Sequence, residues 1–182
     1  MRNSRIIIFV LAILTSCKTS IATFQTSDTD KIGVTSNHFR GTIFKSSYPE
    51  ENLFIQAGDK LNRFTPTKEN IALAESILKS QIRKANKAHF NQPGKHKYLE
   101  KNLNKYFRQY IGFINEHGDS IIHINFQWDR FTMTDRLKGY WDNRLKYNSD
   151  FSQVFDGGSH YWNVNVNLNK KRLYQLSVNG EA

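Results

Sequence analysis

The chain has 182 residues, 38% of them hydrophobic, with 13 Phe, 8 Tyr and 3 Trp; that aromatic density excludes a disordered polar chain and suits one ordinary domain plus a leader. A formal net charge of +10 favours anionic partners such as lipid headgroups or other acidic surfaces, although a solvated basic exterior is the plainer reading. The single cysteine, Cys17, excludes a disulfide within the chain, so the domain must hold together through its core.

Residues 1–16 divide as an export signal does. Arg2 and Arg5 precede the unbroken apolar run Ile6–Leu14, and the small residues Thr15 and Ser16 follow. A helix of this length rises only about 14 Å, short of the ~30 Å hydrocarbon core, so the run reads as a signal segment and not as a lasting transmembrane helix. Leu14-Thr15-Ser16-Cys17 resembles the bacterial lipobox. The resemblance implies cleavage before Cys17 and lipidation of that cysteine, with several acyl chains (palmitate among them) giving stable attachment. Losing Arg2 and Arg5 leaves a mature charge of +8. Lys18 is not the aspartate that marks inner-membrane retention in some bacteria, and no acidic run follows Cys17. Both points imply, by resemblance, an outer membrane location facing the periplasm.

Residues 17–32 follow as the cysteine that the lipobox resemblance implies is lipidated and a stretch rich in Ser and Thr without periodicity, which predicts a flexible tether. A single domain is expected over 33–182. Residues 33–58 carry short apolar groups that suggest irregular chain or a short strand. A helix follows: Thr65-Pro66 supplies a cap, Ile71, Ala74, Ile77, Leu78, Ile82 and Ala85 form its apolar stripe, and Pro93-Gly94 ends the segment. Residues 106–128 read as a hairpin. A turn centred on His117-Gly118 pairs Phe113 with Ile122, Ile111 with Ile124 and Phe107 with Trp128, leaving Tyr110, Gly112, His123 and Asn125 on the other face, with His123 opposite Gly112. A short helix is expected near 135–145. A second hairpin alternates Trp162, Val164, Val166 and Leu168 with Asn163, Asn165 and Asn167, and returns through Tyr174, Leu176 and Val178. The expected fold is α+β: one long helix packed on an antiparallel sheet of about four strands, the order of elements seen in cystatin-like and NTF2-like folds.

No chemical constellation stands out. His38, His89, His96, His117, His123 and His160 form no HxH or HExxH pattern, so no metal and no cofactor is predicted. Asp156-Gly157-Gly158-Ser159-His160 has two glycines that suit either an anion cradle or a sharp turn into the following strand, and the turn is the simpler reading. Lys60–Arg108 carries twelve Lys and Arg against Asp59 before it and three glutamates within it, which concentrates the basic excess on the helix and the chain after it. No stacking aromatics interleave with that run, so nucleic acid is not an expected partner.

Arg63-Phe64-Thr65-Pro66-Thr67, Arg108–Asn115, and Asp156-Gly157-Gly158 with Tyr161-Trp162 and Val178-Asn179-Gly180 resemble a group of small, uncharacterised bacterial lipoproteins. The resemblance covers about 53–182 and implies a shared fold and a lipid anchor, with no catalytic residues to carry over. The expected function is a lipid-anchored cell-envelope binding or assembly module. Its partners would be the membrane through the anchor, and an envelope protein or anionic surface. Its binding surface would draw on Tyr110, His123, Asn125, Gly157, Gly158, His160 and Tyr161, together with Asn163 and Asn165. Two alternatives stand beside it. One is a small enzyme with a helix–sheet pocket, for which Asp129, His123 and His160 are the candidates; the other is a periplasmic immunity or inhibitor protein.

Overall fold

The computed structural model describes residues 20–53, 62–87, 98–130, 133–139, 143–152, 154 and 157–180. Cys17 and the leader lie outside them, as do Pro93-Gly94 and Asp156. In chain order the elements are β1 (Ile21–Gln25), β2 (Lys31–Ser36), β3 (Arg40–Phe44), β4 (Asn62–Phe64), α1 (Lys68–Lys87), α2 (Leu99–Asn102), β5 (Tyr106–Ile114), β6 (Ser120–Trp128), α3 (Met133–Leu137), α4 (Asn143–Asn148), β7 (Tyr161–Asn167) and β8 (Arg172–Val178).

This corrects the expected four-strand antiparallel layer. Eight strands form one mixed sheet in the order β1-β2-β3-β5-β6-β7-β8, with β4 pairing on β5. The β3–β5 pair is parallel and the others are antiparallel. The stretch expected to be a tether already contributes β1, paired with β2 from Ile21↔Ser36 to Gln25↔Ile32. Helix α1 touches β8, β7 and β6, and also β1 at the far end of the strand order. In a flat sheet β1 and β8 would stand about 29 Å apart, against a helix about 10 Å wide, so the sheet curls around α1.

The helix itself follows its apolar stripe, with Ile71, Ala74, Ile77, Leu78 and Ile82 buried. Its cap is Thr67, two residues later than expected. Asn70 N donates to Thr67 Oγ1 at 3.2 Å and Thr67 N donates to Asn70 Oδ1 at 3.0 Å, a reciprocal capping box. The short helix expected near 135–145 is two helices, α3 and α4.

Register corrects the face assignments. The β5–β6 loop is one residue longer than the two-residue turn expected. Gly118 N donates to the Asn115 carbonyl, and Gly118 itself has φ +77°; this is a tight turn closed by a left-handed glycine. Ile114 therefore pairs with Ser120 and Phe113 with Ile121, a slip of one that turns β5 over relative to β6. Tyr106, Arg108, Tyr110 and Gly112 face α1 beside Ile122, Ile124 and Phe126, while Phe107, Gln109, Ile111 and Phe113 face outward. Phe64, not His123, closes over Gly112: a Cβ there would come within 2.7 Å of the Phe64 carbonyl and 2.9 Å of its ring. In the second hairpin a bulge between Asn163 and Asn165 coincides with Gln175 at φ +51°. It puts Leu173, Leu176 and Val178 against the core and sends Tyr174 to the outer face.

Both faces of the central strands are covered, so eight of the nine β5 residues are buried. Inside, Trp162 stacks on Phe126 at 3.6 Å and Tyr106 meets both edge-on. Outside, Phe44, Tyr48, Leu53, Ile111 and Phe151 form a second cluster. Segment 146–152 closes this outer face. Its Tyr147 packs edge-on against Phe24 and Phe107.

Candidate functional site

A groove of about 1150 Å³ opens on the helix side of the sheet, between α1, α2 with the turn after it, and the β2–β3 loop. Ligand sites commonly occupy 300–1,000 Å³ (roughly) and are largely apolar with a few convergent polar groups. Ile21, Phe39, Leu73 and Leu103 supply apolar wall, and Lys79, Lys101 and Glu100 add charge to the lining. At the floor sit Arg108 and Glu75.

That floor is built from positions that would ordinarily be apolar. Glu75 lies four residues after Ile71 and three before Leu78, inside the helix stripe, and Arg108 lies on the core face of β5. Arg108 is 1% exposed. Its Nε lies 2.8 Å from Glu75 Oε1, too oblique for a hydrogen bond, so the contact is ionic. Its Nη1 donates to the Tyr106 carbonyl at 3.0 Å, and its guanidinium lies 5.0 Å from the Phe39 ring and 5.2 Å from the Phe126 ring. The Tyr110 hydroxyl donates to the same Glu75 oxygen at 2.7 Å. Burial, reinforced by the Glu75 carboxylate, pushes that hydroxyl well above the usual tyrosine range, so it stays protonated and acts as a donor. One carboxylate oxygen thus serves two partners, while the other guanidinium N–H groups have no hydrogen-bond acceptor among the described residues.

The residues expected to form a binding surface do not come together. Tyr110 is fully buried under α1, where its hydroxyl meets the groove only through Glu75. His123 and Asn125 lie on the opposite face. His123 Nδ1 is 2.8 Å from Asn165 Oδ1, and burial pulls the imidazole below its ordinary range against the raising effect of that hydrogen bond. Asn125 donates to Ser152 O at 2.6 Å and to Gln109 Oε1 at 3.0 Å, so it ties down segment 149–152. Asn165 also donates to Gln175 Oε1. Gly157 and Gly158 have φ +86° and +56° and make the turn into β7. Gly158 N donates to the Gly180 carbonyl, and the Ser159 carbonyl accepts from Tyr106 Oη at 2.7 Å. Tyr161 flanks that turn and crowds Gly157, while His160 packs against Trp128 at 4.9 Å.

The three candidates for catalysis are also dispersed. Asp129 is clamped by Arg40 at 2.5 Å and Lys146 at 2.5 Å, His160 sits by Trp128, and His123 is outside the sheet. None of the three lines the groove. The chain matches no protein-family model, no curated protein and no solved structure. Among the described residues no helix is long and apolar enough to cross a membrane.

Sequence reasoning missed the groove floor, although one signal was present. A glutamate inside an apolar helix stripe needs a buried cationic partner, and Arg108 in the run Tyr106–Ile114 is the matching exception in a strand buried on both faces.

Proposed function

We propose that the chain is a lipid-anchored cell-envelope protein whose domain is a binding module, with its ligand held in the groove between α1 and the sheet. The observation that carries the reading is the charged pair Arg108–Glu75 at the floor of an open, mostly apolar-walled groove. Most ion pairs lie on open surface and specify little; this one joins a guanidinium that is 1% exposed to a carboxylate in the lining of a groove, and a few polar groups converging in a concave site are what fix a ligand's orientation. The lipobox-like Leu14–Cys17 and the resemblance to small bacterial lipoproteins support the anchor and an outer-membrane, periplasm-facing location. Lys68, Lys79, Arg83, Lys84 and Lys87 are exposed on α1. Beside an anionic lipid surface each basic residue adds about 1 kcal/mol of attraction, which would hold the helix side towards the membrane.

Metabolic labelling with a clickable palmitate analogue, followed by membrane fractionation, tests the anchored part of this reading. Wild type should carry label and sediment with membranes, and Cys17→Ala should lose both. An unlabelled, soluble wild type would overturn it.

A further inference from the structure

We infer that the groove takes a single-chain amphiphile bearing a carboxylate, of the fatty-acid type, with its head on Arg108 and its chain along the apolar wall. The inference deepens, and rests on, the reading of the groove as the ligand site. Three features of the floor select the head. Arg108 is buried with guanidinium N–H groups that lack acceptors among the described residues, and a buried donor without an acceptor is where a ligand's oxygen contributes most. The Phe39 and Phe126 rings lie 5.0 and 5.2 Å from the guanidinium; with Nε against Glu75 and one Nη1 hydrogen on the Tyr106 carbonyl, the Nη1/Nη2 end remains, and it matches a planar carboxylate through two parallel hydrogen bonds. The Glu75 carboxylate stands beside it. A monoanion can share the guanidinium with Glu75, a dianionic phosphate would be repelled more strongly, and a cationic head is disfavoured because Lys79, Lys101 and Arg108 outweigh Glu75 and Glu100 in the lining.

The wall selects the tail. Ile21, Phe39, Leu73 and Leu103 present aliphatic and aromatic surface beyond the charged pair. A flexible alkyl chain gains favourable burial with each methylene it lays on such a wall, and a groove of about 1150 Å³ has room for it.

The test uses full-length protein in isolated membranes and three photoreactive probes of equal chain length: a diazirine fatty acid, its methyl ester and the corresponding alkyl trimethylammonium. Crosslinked peptides are mapped by mass spectrometry. The acid should label peptides containing Phe39, Leu73 and Leu103 at least tenfold more than the ester or the cation. Ser76→Trp, at an exposed position in the groove lining, should abolish that labelling while leaving the fold intact. Because Arg108→Leu alone would strand Glu75, the head is tested with the paired variant Arg108→Leu/Glu75→Leu, checked for folding by circular dichroism. It should label equally with acid and ester. Equal groove labelling of wild type by acid and ester, or an acid preference that survives in the paired variant, overturns the carboxylate inference and leaves the groove as a ligand site. Labelling by none of the probes, or outside the groove only, overturns both.

Discussion

The two faces of the sheet solve the same problem, a polar residue where a core is needed, in opposite ways. On the outer face Gln109, Asn125, Gln127 and Ser152 interlock. Gln109 Oε1 accepts from Asn125 Nδ2 at 3.0 Å and Gln127 Nε2 at 2.9 Å, while its own Nε2 donates to the Asp150 carbonyl at 2.9 Å. These are neutral amides bonded to one another and to backbone, and they hold segment 149–152 on the sheet; the buried Lys31 on this face is likewise fully engaged, by Asp28, Asp150 and the Asn148 carbonyl. On the helix side Arg108, Glu75 and Tyr110 are a charged cluster below an opening, with donors to spare. A satisfied network rigidifies; an incompletely satisfied one at an open groove keeps hydrogen-bonding capacity for something else. The contrast points to structure on one side and recognition on the other.

The largest effect should come from breaking the charged side. Glu75→Gln leaves Arg108 buried without a counter-charge, and urea unfolding should show a loss of about 3 kcal/mol, the low end for removing one partner of a buried pair. Replacing both residues with leucine should recover most of it, because a packed apolar pair commonly matches a buried ion pair. Gln109→Leu on the outer face should cost about 2 kcal/mol, the usual penalty for orphaning buried amides. Its distinguishing readout is hydrogen exchange, which should accelerate in 149–152 while α1 stays protected. If exchange rises equally on both faces, the division between them is wrong.

Two smaller effects are set by pH. The imidazole of His123 is held below its ordinary 6.5 by burial, against its hydrogen bond to Asn165 Oδ1, so protons bind the unfolded chain better. Its contribution is complete above pH 6.5 and is lost as pH falls from there through the folded value. Urea midpoints measured from pH 8 to 5 should show a modest decline that His123→Phe removes. Lower still, Lys31 Nζ contacts Asp28 at 2.9 Å and Asp150 at 2.9 Å, and these hydrogen bonds hold both carboxyls below their ordinary 3.8. Burial pulls Lys31 down, but the two aspartates outweigh it and its net shift is upward. The aspartate contribution is full above pH 3.8 and fades as pH falls through the lower folded values. Asp150 is largely exposed, so screening keeps the effect small. The expected sign is local loosening of 148–152 below pH 4, seen by hydrogen exchange, with Lys31→Met showing it already at neutral pH.

Sequence periodicity disclosed the elements whose environment differs between faces. The α1 stripe was legible because its back is solvated, and β7 alternated because its asparagines meet a polar outer surface. In β5 the signal was lost, since aromatic and polar residues are buried on both sides, and one extra loop residue at Gly118 reversed the assignment. The bulge at Gln175 did the same to Tyr174. Strand β1 was invisible because it buries only Ile21 and exposes Ala22–Gln25, which leaves Ser/Thr-rich composition without a pattern. Of the site, Cys17 rests on a local motif outside the described residues. Tyr110 was noticed but placed on the wrong face. Arg108 and Glu75 escaped because neither fits a catalytic or metal-binding spacing; their meaning lies in a meeting of helix and strand that separates them by more than thirty residues.

Strand β1 also sets the length of any leash. With the sheet starting at Ile21, a lipid on Cys17 would leave three residues between anchor and fold, about 14 Å at full stretch from Cα to Cα. Such a domain could not swing across the compartment to a distant partner. It would stand close to its own bilayer and tumble little, with the Ile21 edge of the groove held near the membrane surface.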